Sequence, residues 1–205
     1  LADGMNWSFL YERDRGVFSI GFRLADRDSP GRLDPSYYDL LASEARLASF
    51  IAIARGEVPQ EHWFRLSRAL IRVQTETTLV SWSGSMFEYL LPQLLMRTHP
   101  ETLLERACHA AVRAQVDYGR QQQVPWGISE SAYDVRDALG NYQYKAFGVP
   151  GAGMKRGLAE DLVVAPYATA LAALIDPAAA AANFRRLARE GQLGAEGRYG
   201  FVEAI

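Results

Sequence analysis

Residues 7–24, WSFLYERDRGVFSIGFRL, alternate apolar and polar positions on either side of Asp14-Arg15-Gly16. A period of two suits a half-buried strand, and an Asp/Gly turn between two such runs predicts a β-hairpin over 7–24. The loop 25–34, ADRDSPGRLD, follows, and Asp34 is placed to N-cap a helix with Pro35 at its first position. Tyr37, Leu40, Leu41, Leu47, Phe50, Ile51 and Ala54 then recur at helical spacing, which predicts one helix running to Gly56 as its stop. Glu44 belongs to that helix, among Ala42, Ser43 and Ala45. It has no i,i+4 partner, since position 48 is Ala and position 40 is Leu.

Further on, Pro59-Gln60-Glu61 opens a short helix through Arg65, and the β-branched run 69–82 reads as strand or irregular chain. Ser83-Gly84-Ser85 leads into a helix carrying Pro92, and Pro100-Glu101 opens a long helix to about Gln123. Pro125 and Gly127 stop it, leaving Glu130 on a loop in VPWGISESAYD. The stretch NYQYKAFGVPGAGMKRGL reads as short strands and loops. Two more helices are expected, over 162–175 despite Pro166 and over 177–191 with Gly191 closing it.

Composition narrows the function. The 205 residues suffice for one core or part of a larger domain. A net charge of −2 without a basic tract argues against a nucleic-acid partner. Cys108 is the only cysteine, and His62, His99 and His109 show no ligand pairing, so no metal site is expected. No apolar run approaches the ~20 residues needed to span a bilayer, and no signal peptide opens the chain. The chain starts at Leu1 in what reads as the interior of a longer polypeptide.

Nucleophile elbows and phosphate loops are absent: there is no GxSxG, and GVPGAGMKRG lacks the Gly-Lys-Ser/Thr core of a P-loop. Acids beside aromatics are the recurring theme. Trp82 and Tyr89 accompany Glu88, Trp126 and Tyr133 flank Glu130, and Tyr199 and Phe201 precede Glu203. Sugar sites need aromatic faces for C–H packing and a carboxylate pair for the glycosidic bond. Taken singly, Glu88 reads equally as a first-turn residue and Glu203 as a surface acid.

The stretches YYDLLASEARLASFIAIARGEVPQEHWFRL, SWSGSMFEYLLPQLL, VPWGISESAYDVRD, YQYKAFGVPGAGMKRGL and YGFVEAI resemble the glucoamylase-like region of bacterial cyclic β-1,2-glucan synthases. The resemblance implies a mainly α fold, part of an (α/α)6 toroid, with an N-terminal β-hairpin and short inserted strands. Endo-β-1,2-glucanases are related to it. It implies a retaining transglycosylase that closes linear β-1,2-glucan into a ring, with no cofactor. The nucleophile falls at Glu130 and the acid/base at Glu44, although exchanging the two roles, or Glu203 in place of Glu44, would also fit. Trp126, Tyr133, Trp82, Glu88, Glu203, Arg46, Tyr144 and Lys145 would be subsite residues or supports behind them.

A carboxyl separation of ~5–5.5 Å would accompany retention and ~6.5–9.5 Å inversion. Residues 1–205 are expected to be one fragment, the C-terminal part of the barrel. They offer about half the helices of a complete toroid, which implies an exposed apolar flank and possible self-association. Partners implied are β-1,2-glucan and other modules of the same polypeptide, at the cytoplasmic face of the bacterial inner membrane, with no direct membrane contact from this segment. Hydrolysis of β-1,2-glucan and non-catalytic glucan binding remain open alternatives.

Overall fold

The computed structural model describes residues 4–27, 29–190 and 194–205. The expected turn at Asp14-Arg15-Gly16 joins β1 (Tyr11–Glu12) to β2 (Val17–Ser19), with Tyr11 opposite Phe18. Gly16 takes φ 72° there, a backbone shape that a Cβ disfavours. The strand does not continue to residue 24. Instead β3 (Phe22–Arg23) leaves it and pairs with β4 (Arg32–Leu33).

The helix expected from Pro35 does not begin there. Tyr37–Tyr38 form β5, which joins β2 as the third strand in the order β1-β2-β5. The Asp34 carboxylate caps no helix; it accepts from the Ser36 N–H at 2.9 Å and pairs with Arg23 at 3.1 Å. Helix α1 covers only Arg46–Ala54. Two strand-favouring tyrosines with a free edge on β2 outweigh the helical spacing of the leucines. Ser43 helps to break the helix, because its Oγ accepts from the Ala45 N–H at 3.2 Å. Glu44 therefore stands in the turn before α1 and not on a helix.

A buried histidine ties these pieces together. His62, on α2 (Glu61–Arg65), contacts the Gly16 carbonyl through Nδ1 and Ser49 Oγ through Nε2, both at 2.9 Å. Its ring stands edge-on to Tyr11 and Phe18. Burial lowers its pKa, which favours the neutral ring that these two partners can satisfy.

The ambiguous stretch 69–82 resolves as a hairpin, β6 (Leu70–Val73) with β7 (Glu76–Leu79), turning at Gln74 with φ 55°. Helix α3 (Met86–Leu90) follows and passes into a 3-10 turn over Leu91–Leu94 that contains Pro92. The long helix α4 covers Leu103–Gln122; Thr102 caps it by accepting from the Glu105 N–H. Then come β8 (Ser131–Arg136) and β9 (Tyr142–Lys145), paired with a bulge between Tyr133 and Arg136. Helix α5 (Pro166–Ala172) starts at its proline, where the missing N–H costs nothing, so residues 162–165 stay outside it. Helix α6 (Pro177–Arg189) is capped by Asp176, while Gly191 lies outside the described residues. The chain ends with β10 (Glu196–Gly197) and β11 (Gly200–Phe201).

Met86 and Leu90 of α3, Ala107 and Val112 of α4, and Ala168 and Ala172 of α5 share one buried cluster with Leu79. Leu41 and Ala42 ahead of Glu44, Tyr89 beside Glu88 and Trp126 ahead of Glu130 belong to the same cluster. No helix among the described residues is long and apolar enough to cross a membrane.

Candidate active site

Glu44, Glu88 and Glu130 line one cavity of about 540 Å³, together with Tyr38, Trp82 and Lys155. Three separate stretches of chain deliver them. Glu44 comes from the turn before α1, Glu88 from the first turn of α3, and Glu130 from the residue ahead of β8.

Glu88 is buried, 4% exposed, and saturated. Its carboxylate accepts from the hydroxyls of Ser81, Ser83 and Ser85 and from the backbone N–H groups of Trp82, Ser83 and Ser85, at 2.6–3.1 Å. Ser85 Oγ in turn accepts from the Glu88 N–H, completing a capping box. The helix-start role that the sequence allowed for Glu88 is thus its observed role. The Ser83 loop is held in place by two glycines. A Cβ on Gly148 would lie 1.8 Å from the Ser83 carbonyl oxygen, and one on Gly153 would lie 2.4 Å from its carbonyl carbon. Residues 148–155 run alongside the loop, with the N–H of Met154 on the Ser81 carbonyl and that of Lys155 on the Trp82 carbonyl. Gly148 and Gly153 therefore serve close backbone approach and bring Lys155 to the cavity.

Glu130 follows a buried, non-helical segment in which almost every polar group is used. Gln115 of α4 donates to the Ile128 carbonyl and accepts from its N–H, each at 2.7 Å. Asn183 of α6 does the same for Trp126, at 2.7 and 3.1 Å. The Ala165 N–H donates to the Gly127 carbonyl. The Tyr167 hydroxyl donates to the Glu130 carbonyl and accepts from Ser129 Oγ, both at 2.8 Å. At the side chain, the Tyr144 hydroxyl donates to Glu130 Oε2 at 2.8 Å.

The electrostatics separate the two half-buried acids. Burial raises the pKa of both. For Glu130 the Tyr144 hydroxyl and the Lys155 ammonium oppose that rise, while Glu88 adds to it. Glu44 has only its own backbone N–H and Ser43 Oγ to oppose it, and both Glu88 and Glu130 repel its charge. The Tyr38 hydroxyl is also pushed up, first by burial and then by Glu44 and Glu130. Tyr167 is pushed up to about 12, chiefly by burial.

Several of the residues expected as subsite residues or supports do not line this cavity. Trp126 is 7% exposed and packs in the main core, where a Cβ on Gly119 would come within 2.6 Å of the Trp126 Cβ. Arg46 is buried and lines a different cavity, of about 300 Å³. Lys145 pairs with Asp161 and lies over the Phe147 ring. Tyr133 stands edge-on to Phe147, and Glu203 accepts from the Ala132 N–H at 2.8 Å; both line a neighbouring cavity of about 450 Å³. Of the aromatic residues beside acids, Trp82 does line the glutamate cavity, 41% exposed. Tyr38, Lys155, Tyr167 and Gln115 were not singled out in the sequence. The doubled tyrosine ahead of Glu44 and the glycines ahead of Lys155 are the patterns that could have marked the first two.

Among the described residues, no group of three or more His, Cys, Asp or Glu could hold a metal ion.

A family model described as "Putative glucoamylase" matches residues 36–205. The chain is 46% identical over 205 residues to the cyclic β-(1,2)-glucan synthase NdvB of Rhizobium meliloti (strain 1021). That match takes in all of this chain and 7% of the relative's length. Two solved endo-β-1,2-glucanases share the fold. One, from Talaromyces funiculosus in complex with sophorose, aligns with TM-score 0.73 and 16% identity over 97% of this chain and 44% of its own. The other, from Chitinophaga pinensis in complex with sophorotriose and glucose, gives TM-score 0.66 and 15% identity over 98% and 50%.

Proposed function

The chain belongs to the glycoamylase family, and from that premise we propose that it is a glycosidic module of a protein that processes β-1,2-glucan by retaining transglycosylation. The observation that carries this reading is the unequal environment of two acids in one cavity. Burial raises both; at Glu130 a hydroxyl donor and a cation oppose the rise against one repelling carboxylate, Glu88, whereas at Glu44 its own N–H and Ser43 oppose it against two, Glu88 and Glu130. A nucleophile and a general acid need this division of roles.

In the first step the Glu130 carboxylate bonds to the anomeric carbon as the glycosidic C–O bond breaks, and the Glu44 proton goes to the departing sugar oxygen. In the second step a hydroxyl of an acceptor sugar attacks the same carbon, Glu44 takes its proton, and Glu130 is released. When the acceptor is the far end of the same glucan, the product is a ring. Trp82 offers an apolar face for a sugar ring at the cavity wall. The helices would form the C-terminal part of an (α/α)6 toroid whose other part belongs to the same helical region, with other modules of the same polypeptide as partners at the cytoplasmic face of the inner membrane. The alignment with 44–50% of each glucanase chain supports that division.

The test is product analysis. Incubating the full-length protein with linear β-1,2-glucan should yield cyclic glucan with the β configuration retained and few new reducing ends. A second reading, hydrolysis, is favoured by the fold shared with endo-β-1,2-glucanases. Dominant release of reducing ends with inverted configuration would select it and reject the transglycosylase.

A further inference from the structure

We propose that Arg46 is a positioning residue that fixes the Glu44 turn against α3, and that Pro92 makes this possible; the proposal rests on Glu44 being the general acid. Arg46 is 3% exposed and, among the described residues, has no carboxylate partner in its hydrogen bonds. Its guanidinium spends its donors on backbone carbonyls instead. Nη1 donates to Ser43 at 3.0 Å and to Glu88 at 2.8 Å, and Nη2 donates to Tyr89 at 2.5 Å.

The carbonyl of Glu88 is available for a chemical reason. In a continuing helix it would accept from the N–H four residues on, but that residue is Pro92, which has none. The Glu88 and Tyr89 carbonyls stand at the C-terminal end of α3, where a cation is also favoured by the exposed backbone dipoles. Arg46 fills this vacancy with one arm of its fork and holds the Ser43 carbonyl, immediately before Glu44, with the same nitrogen. A planar guanidinium can span these acceptors; a lysine ammonium is a point charge without the fork geometry. Arg46 lines the other cavity and holds the Glu44 turn through its backbone, while its charge also acts on the Glu44 carboxylate directly.

The test compares two donors in the full-length protein: linear β-1,2-glucan, whose leaving sugar needs a proton, and β-sophorosyl fluoride, whose leaving fluoride needs little help. Glu44→Gln should lower kcat on the glucan far more than on the fluoride. Arg46→Lys should show the same preference, with kcat on the glucan down about 10²-fold, as for a misplaced catalytic group, and KM little changed. Pro92→Ala, which returns a competing N–H to the Glu88 carbonyl, should reproduce the preference more weakly without lowering the melting temperature.

Equal losses on both donors in Arg46→Lys, with Glu44→Gln discriminating as expected, would overturn the positioning role alone. If Glu44→Gln does not discriminate, the acid assignment falls and this proposal with it. Should Arg46→Lys fail to fold, an unchanged donor ratio in folded Pro92→Ala overturns the proposal, and unfolding of both variants makes Arg46 a folding residue only.

Discussion

Glu88 and Glu130 face the same cavity from opposite kinds of surroundings. Six serine and backbone donors converge on Glu88, which leaves its carboxylate no spare lone pair. Among the described residues Glu130 has a single side-chain donor, Tyr144, and Glu44 has Ser43 beside its own backbone N–H. A carboxylate already satisfied by fixed donors is a structural anchor, because reacting would mean giving those bonds up. One that is half-buried and sparsely bonded retains both the affinity for a proton and the lone pairs that chemistry needs. The serine-rich loop holds the cavity's shape, and the proposed reaction falls to the two less satisfied acids.

The strongest way to break that contrast is to remove each acid in turn. Glu130→Gln should lower glucan turnover by on the order of 10⁴–10⁶-fold, as expected when a nucleophile is deleted. Glu44→Gln should cost about 10²–10⁴-fold, the range of general-acid assistance, in the same product assay. If Glu88→Gln matches either loss in a folded protein, the division between anchor and reactive acids is wrong.

Glu88→Gln should instead be read in unfolding experiments. An amide cannot accept from all six donors, and a buried donor left unpaired costs about 1–3 kcal/mol. A denaturant midpoint close to that of the parent protein would contradict the anchor role.

Smaller effects sharpen the picture. The Tyr144 hydroxyl holds the Glu130 pKa down against burial, so Tyr144→Phe should move the acidic limb of the kcat/KM profile to higher pH. A downward shift would contradict the assignment of that limb to Glu130. Glu44 has a folded-state pKa above its ordinary value, so ionising it costs stability. That cost is absent below the unfolded pKa and grows as pH rises through the folded one. Glu44→Gln should therefore raise the melting temperature at neutral pH and lose that advantage below about pH 4. Equal melting curves for the two proteins at neutral pH would argue that Glu44 is better solvated than the fold implies.

The parts of the fold that were legible in the sequence are those set by local chemistry. The long helix α4, the capped helix α6 and the hairpin turn at Gly16 each carry their own start, stop or turn residues. Elements decided by a distant partner were misread. Tyr37–Tyr38 became a strand because β2 offers an edge, and that edge cannot be seen from the spacing of leucines. Proximity in sequence also says nothing about the direction of a ring or an ammonium. Trp126 stands four residues from Glu130 yet turns into the core, while Lys155, twenty-five residues away, lines the cavity. Small residues around Glu44 did mark a crowded place, but the reason was a turn and not a helix face.

The glycine-clamped contact between residues 81–85 and 148–155 also bears on the order of events during folding. Its backbone bonds join positions some seventy residues apart, and such pairings form only after a large loop has closed. The hairpin β6–β7 and the helix α4 can form from nearby residues beforehand. The cavity would then be among the last features to assemble and, under strain, among the first to open. The amide protons of Met154 and Lys155, bonded to Ser81 and Trp82, are its natural reporters in hydrogen exchange. Their exchange tracks whether the anchor loop and the lysine wall are joined, independently of any sugar.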